Sequence, residues 1–211
     1  MSNLSVLVLT TSFPTKDSSA GVFVWDECQD LVRNGVAVTV VAPHCAGAAK
    51  EETIDGVKVV RFRYFLPEKM QRVAYGNGIP VNLKSNFLAK LQLPVFALSF
   101  LTTALAQAKG KQIIHCHWFI AGLIGLIVKT ALRKKLVLMM HHAHSSNPIF
   151  KLILKNTDYL FCNSSFVRDA TLKIFPTPNM EILPVTVSEA HFKPSNHTTN
   201  SDTQRNIVAV G

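Results

Sequence analysis

The regular alternation of short apolar segments with helix-length segments constrains the fold of this chain more than any other feature. Strand-length apolar runs recur along the sequence, and the segments between most of them have apolar residues at helical spacing. This alternation is typical of an α/β fold with a doubly wound, Rossmann-like parallel sheet. The pattern predicts strands at 6–9, 36–42, 57–62, 112–116, 136–140, 159–162 and 180–184, and helices at 22–33, 86–108, 120–132, 148–155 and 165–174.

Local signals mark the ends of the first strand–helix–strand unit. Gly35 follows the first helix, where a left-handed C-terminal cap is expected, and Pro43 ends the second strand. Such a unit joins two parallel strands by a right-handed crossover.

Two segments interrupt the alternation. Residues 64–85 contain two prolines and two glycines and are predicted to form a long irregular loop of the kind that is usually functional or mobile. Residues 194–206 are polar and turn-rich, and the apolar residues 207–211 follow them. We therefore expect a first domain at 1–193, a linker at 194–206, and at 207–211 the first strand of a second domain whose remainder is missing. Alternatively, that strand pairs with the edge of the first sheet.

Charge and cysteine content narrow the possible functions. The chain has 22 Lys plus Arg against 13 Asp plus Glu, a formal charge of +9, which favours anionic partners. The basic residues are scattered rather than arranged in a stripe with aromatics, so we expect no nucleic-acid partner. The four cysteines lie far apart with no C-x-x-C motif, which indicates a reducing, cytoplasmic location. The apolar residues 91–108 are at the short end of the ~20 that a membrane span needs, so they predict a buried or surface-lying helix.

Five of the eight histidines fall at the ends of two predicted neighbouring strands. His115 and His117 end one strand, and His141, His142 and His144 follow the next. Because ligands of open α/β sheets bind outside the carboxyl ends of the strands, these imidazoles are expected around one crevice. We expect hydrogen bonding or acid–base roles there, with His115 and His144 the first candidates for purely structural roles.

A metal site is the alternative for these histidines. No Asp or Glu occurs between Glu68 and Asp158, and Cys116 is predicted to face away from its two histidine neighbours. A three-histidine site stays possible, but we expect neither a metal nor another cofactor.

Two further positions could contact a ligand. Ala20-Gly21 precedes a predicted helix N-terminus, where free backbone N–H groups favour anions, although a plain turn glycine explains Gly21 equally well. Ser164 is first of all a helix N-cap candidate. No nucleophile motif such as G-x-S-x-G is present.

Together these segments resemble the N-terminal domain of a family 4-type glycosyltransferase with the GT-B fold, over nearly the whole chain. The segments that carry the resemblance are SFP at 12–14, Ala20-Gly21, VTVVAP at 38–43, RFRY at 61–64, YGNGIP at 75–80, NL at 82–83, LQLP at 91–94, IIHCHW at 113–118, AG at 121–122, LVLMMH at 136–141, TDYLFCNS at 157–164, ILP at 182–184, FKP at 192–194 and 206–211. The chain departs from the family pattern at Ala20, Val36, Gln112, His142 and Val185-Thr186.

The resemblance implies an enzyme that moves a sugar, of the hexosyl type, from a nucleotide-diphosphate sugar to a glycan or lipid-linked acceptor, with retention and without a metal. By resemblance His117 lies beside the transferred sugar as the catalytic residue. The substrate-binding residues would be Ala20, Gly21, His141, His142 and Ser164.

The resemblance also implies an incomplete enzyme. The family's donor motif belongs to the C-terminal half of the GT-B fold, so we expect these 211 residues to have little activity of their own. Positive charge and the apolar helix suggest peripheral contact with the inner membrane face. The alternatives are a non-catalytic sugar- or phosphate-binding module and, on charge alone, a nucleic-acid-binding protein, whose binding would depend steeply on salt.

Overall fold

A computed structural model describes residues 4–16, 18–142, 147–177 and 179–185. The predicted linker at 194–206 and the predicted strand at 207–211 lie outside this part of the chain. The elements in chain order are β1 Ser5–Leu9, α1 Val22–Arg33, β2 Ala37–Pro43, β3 Glu51–Ile54, β4 Val57–Phe62, a 3-10 turn Glu68–Met70, α2 Ile79–Ser85, α3 Phe87–Gln107, β5 Ile113–His117, α4 Trp118–Leu132, β6 Lys135–Met140, α5 Pro148–Asn156, β7 Tyr159–Cys162, α6 Ser165–Ile174 and β8 Met180–Ile182.

The strands form one sheet of eight in the order β3-β4-β2-β1-β5-β6-β7-β8. All neighbours are parallel except β3 and β4, which pair antiparallel. The predicted doubly wound, Rossmann-like α/β fold is confirmed. The order reverses at β1, so the carboxyl ends of β1 and β5 lie beside the switch point where such sheets bind ligands.

Three elements differ from the sequence prediction. The hairpin strand β3 was not predicted, because Glu51–Ile54 has no buried residue and so no apolar run. Helix α2 lies inside the stretch predicted to be irregular. Strand β8 ends at Ile182, short of the predicted 184.

Helix α3 begins at Phe87, capped by the Asn86 side chain, which accepts hydrogen bonds from the backbone N–H groups of Leu88 and Ala89. Pro94 lies inside the helix. By length and composition α3 could cross a membrane. However, Phe96 and Phe100 pack on Phe62 of β4, with Phe62 and Phe100 stacked at 4.5 Å, so one side of α3 belongs to the core.

The two faces of the sheet carry separate apolar clusters, as the period-two alternation of a strand requires. In β1, Leu7 and Leu9 pack in the cluster that includes α3, α4 and α5, whereas Val6 and Val8 pack in the cluster that includes α1. Beside α1, over β5, β6 and β7, the second face is open and forms an apolar groove of about 410 Å³. We call this the α1 groove; its lining includes Phe23, Glu27, Leu31, Ile113, His115, Val137, Met139, His141, Phe161 and Pro184.

Candidate functional site

The two predicted histidine clusters meet at the carboxyl edge of the sheet. His117 is the last residue of β5, and His141 follows the last residue of β6, its parallel neighbour. His117 Nδ1 lies 3.0 Å from His141 Nε2, and the two rings stack 16° from parallel. This contact brings His117 and His141 together at the ends of their strands, whereas the expectation of one ligand-binding crevice for all five imidazoles stays a prediction.

Aromatic side chains pack around the pair, and its two members differ in solvent exposure. The Phe23 ring of α1 lies 4.8 Å from the His141 ring, and Trp118 lies 5.0 Å from it. Trp118 has φ +68°, which bulky residues rarely adopt and which is often found at functional sites. His117 has 0% exposure, whereas His141 is partly exposed. The resemblance implies that His117 lies beside the transferred sugar, but in the structure His141 lines the α1 groove and His117 is buried behind it. The catalytic role of His117 stays a prediction.

Burial keeps both imidazoles neutral. Loss of hydration, and then the neighbouring His115 and His141, hold the pKa of His117 well below its ordinary value. Burial, followed by His115 and His142, lowers the pKa of His141 to about 4. At neutral pH each ring therefore has one N–H donor and one lone pair, as a hydrogen-bonding or acid–base group requires.

Glu27 of α1 contacts His115 and His117 on the face of the sheet that α1 covers. Its Oε1 lies 3.2 Å from His115 Nδ1, and its Oε2 lies 3.8 Å from His117 Nε2. This carboxylate was not predicted, because Glu27 lies far from both histidines along the chain. The available signal was helical spacing, since Glu27 lies four residues from both Phe23 and Leu31 on the face that α1 turns toward the sheet. His115 is nearly buried and contacts Glu27; His144 lies outside the described residues.

Gly21 is held in place by packing. It precedes α1 with φ +81°, and a Cβ added there would lie 2.4 Å from the carbonyl oxygen of Ser12. The segments SFP and Ala20-Gly21 therefore touch, and the touching point has room only for glycine. Gly21 is buried and Ala20 partly exposed, and a role for either in ligand binding stays a prediction.

Ser164 and His142 lie beside the histidine pair with different surroundings. The Ser164 hydroxyl caps α6 by accepting from the Val167 N–H, and it donates to Asn163 Oδ1. The Asn163 amide in turn donates to the His141 carbonyl at 2.9 Å, so this loop fixes the backbone of His141. His142 is exposed. The predicted contacts of Ser164 and His142 with substrate stay predictions.

A second, polar cavity of about 660 Å³ opens beyond the carboxyl ends of β2 and β4. The stretch 64–85 supplies much of its wall, including Gln71, Arg72 and Tyr75, and His44 contributes from the end of β2. The Gln71 side-chain nitrogen lies 3.1 Å from His44 Nδ1. We call this the polar cavity. The stretch 64–85 was predicted to be a loop of the functional or mobile kind, and none of these side chains was predicted as a site residue.

A family model and several solved structures match this chain. Residues 20–189 match the model of Glycosyltransferase Family 4. A comparison with curated proteins finds no match. Among solved structures, sucrose-phosphate synthase of Thermosynechococcus elongatus superposes with a TM-score of 0.60 at 13% identity, covering 86% of this chain and 48% of that one. A form of the same enzyme comprising residues 27–220 and 406–426 gives 0.58 at 14% identity, covering 89% and 92%.

The Anabaena protein HepE, in complex with UDP and glucose, superposes with a TM-score of 0.59 at 13% identity, covering 92% of this chain and 47% of that one. At these identities the likeness concerns the fold. The chain spans about half the length of HepE and of the longer sucrose-phosphate synthase structure.

Proposed function

Because the chain belongs to glycosyltransferase family 4, we propose that it forms the acceptor-side half of an enzyme that transfers a hexosyl group from a nucleotide-diphosphate sugar to a glycan or lipid-linked acceptor. The observation that carries this proposal is the 3.0 Å pair of His117 and His141 at the carboxyl edge of the sheet. The bound UDP and glucose of HepE support a nucleotide-sugar donor.

In this proposal each histidine has a distinct task. The contact between His141 Nε2 and His117 Nδ1 leaves Nδ1 of His141 as the nitrogen available to a sugar hydroxyl. Because His117 is buried and neutral, it fixes the orientation and tautomer of His141 without adding charge. In this proposal His117 acts through His141 as a positioning residue, in place of the catalytic role that the resemblance implies. The transfer proceeds with retention, and the departing diphosphate is stabilised mainly by groups of the donor-binding half.

The polar cavity is the proposed acceptor site. Its wall offers amide, guanidinium, phenol and imidazole groups, which suit a hydroxyl-rich ligand. Arg72 is exposed at its edge, and the Gln71–His44 contact orders its floor. The Ala20-Gly21 turn, His142 and Ser164 complete the proposed substrate contacts on the side of the histidine pair.

Ligand-detected NMR with a panel of oligosaccharides tests the acceptor site, and product analysis with UDP-sugars tests turnover. We expect Arg72→Ala to weaken oligosaccharide binding and Lys151→Ala, an equally exposed basic site on α5, to leave it unchanged. Because the chain spans about half the length of HepE and of the longer sucrose-phosphate synthase structure, we expect little or no transfer from it by itself. Robust turnover would contradict the expectation that the chain by itself is only the acceptor-side half. Oligosaccharide binding that is unchanged in Arg72→Ala would contradict the proposed acceptor site. Binding that never leads to transfer in any context would instead favour a non-catalytic module.

Peripheral membrane contact on the cytoplasmic side is part of the same proposal. The outer side of α3 exposes Phe87, Leu91, Val95 and Leu98, which follow one another at helical spacing, with Phe87 80% exposed. With the charge of +9, this stripe suits an anionic lipid surface.

Sedimentation with vesicles of phosphatidylglycerol or phosphatidylcholine tests the membrane contact. We expect Leu91→Glu to reduce co-sedimentation with the anionic vesicles. Phe166→Glu changes an equally exposed apolar residue on α6 and should not. Equal effects of the two substitutions would refute the membrane contact.

A further inference from the structure

Three side chains of metal-ligating type converge on the sheet face beneath α1. Glu27, His115 and His117 each offer one ligand atom, and these atoms all lie within 4.8 Å of one another. Glu27 comes from α1 and the histidines from β5, so a helix and a strand of the sheet hold them.

The two contacts of Glu27 have lengths near those between neighbouring ligand atoms of a tetrahedral zinc site. Bonds of about 2.1 Å at tetrahedral angles put neighbouring ligand atoms about 3.4 Å apart. The two contacts of Glu27 measure 3.2 Å to His115 Nδ1 and 3.8 Å to His117 Nε2. All three ligand atoms lie within 4.8 Å of one another, so the side chains must move closer together for Glu27 and the two histidines to bind one ion.

An unsatisfied atom points into this cluster. His117 Nε2 is fully buried and has no hydrogen-bond partner among the described residues, since the 3.8 Å to Glu27 Oε2 exceeds a hydrogen bond. A buried ring nitrogen without a partner is costly. If Nδ1 donates to His141, Nε2 directs a lone pair toward the carboxylate, and a bound cation would satisfy both.

The surroundings of His117 match those of a zinc ligand, whereas Nε2 of His115 is buried and has no hydrogen-bond partner among the described residues. A metal-binding histidine usually donates its other ring N–H to an outer partner, which fixes its orientation. His141 Nε2 occupies that place at 3.0 Å from His117 Nδ1. Glu27 and His115 also line the α1 groove, so an ion could enter from solvent and keep one coordination position open to the groove.

We propose that Glu27, His115 and His117 bind one Zn²⁺ ion whose remaining position faces the α1 groove. Two imidazoles and one carboxylate favour zinc over Mg²⁺ or Ca²⁺, which prefer all-oxygen sites. Because His117 would bind the ion and also contacts His141, the ion would fix the orientation of His141 through His117. Binding of Zn²⁺ requires neither donor nor acceptor, so this proposal can fail or succeed independently of the proposed transfer.

The experiment titrates the untagged, EDTA-treated 211-residue chain with Zn²⁺ by calorimetry and with Co²⁺ by optical absorption. We expect one equivalent of Zn²⁺ and a Co²⁺ spectrum of nitrogen and oxygen ligands without a thiolate charge-transfer band. Glu27→Gln and His117→Gln should abolish binding. His141→Gln should weaken it about 10–100-fold, as loss of an outer partner does.

His44→Gln is the matched control, because His44 is another buried histidine, at the far side of the sheet switch point, and should leave Zn²⁺ affinity unchanged. Absence of stoichiometric Zn²⁺, a thiolate band, or affinity unchanged in Glu27→Gln and His117→Gln would overturn the proposal. If either variant fails to fold by circular dichroism, the histidine ¹⁵N resonances of the unmodified chain decide. Zn²⁺ must then shift the ring nitrogens of His115 and His117, and unshifted nitrogens overturn the site.

Discussion

Gly21→Ala isolates the close contact between the two segments that precede α1. The added Cβ would lie 2.4 Å from Ser12 O and 2.7 Å from Ser12 C, both backbone atoms that cannot rotate away. The left-handed backbone costs a non-glycine residue roughly 1–2 kcal/mol, and forced overpacking adds about 1–3 kcal/mol. We therefore expect the free energy of unfolding to fall by roughly 2–5 kcal/mol out of the 5–15 kcal/mol that is common for a domain.

Gly35→Ala is the control for the backbone term. Gly35 has φ +79°, almost equal to the +81° of Gly21, but nothing lies within 4 Å of a Cβ placed there. It should cost only the backbone term, roughly 1–2 kcal/mol. Urea unfolding followed by circular dichroism measures the free energy of unfolding of both variants. Thermal unfolding gives their melting temperatures, which should differ by about 2–4 °C for each kcal/mol between them.

The difference in stability between Gly21→Ala and Gly35→Ala tests the steric explanation for Gly21. If Gly21→Ala is no less stable than Gly35→Ala, the approach to Ser12 does not limit the side chain at position 21. Ligand contact would then be the better explanation for a glycine there. If Gly21→Ala is much less stable, the fold itself requires this glycine.

Two further predictions concern protonation. The pKa of His141, lowered to about 4 mainly by burial, lies below its unfolded value of about 6.5, so the unfolded chain binds more protons and acid favours it. The contribution of neutral His141 to stability is fully present above pH ~6.5, and the free energy of unfolding should be lower by about 2 kcal/mol at pH ~5 in EDTA. Urea unfolding of His141→Gln should show a smaller decrease between these pH values, and equal decreases would refute this prediction. Burial would raise the pKa of Asp158, but hydrogen bonds from Lys129 at 2.6 Å and the Leu136 N–H at 2.8 Å lower it overall. Asp158→Asn should therefore cost roughly 1–3 kcal/mol at neutral pH. This cost should shrink as the pH falls below about 4, because the unfolded chain then binds a proton that the folded carboxylate, with its lowered pKa, still resists; a cost independent of pH would contradict this assignment.

Much of the fold and the location of the site follow from the sequence by itself. Period-two apolar runs fix which strand residues face each side of the sheet, and the parallel topology brings the ends of β5 and β6 together. The contact of His117 with His141 is therefore implicit in the positions of two histidine-bearing strand ends. The same local rules predicted the cap at Gly35, which has φ +79°.

Contacts between distant elements were decided by the tertiary structure. Glu27 meets His115 and His117 only because α1 docks on that face at one particular angle, and no local periodicity encodes that angle. The same docking brings Phe23 over His141, and Trp118 closes in beside it, so His117 is buried and His141 becomes the residue that faces the crevice. Strand periodicity states which way a side chain points, but its exposure depends on what packs above it.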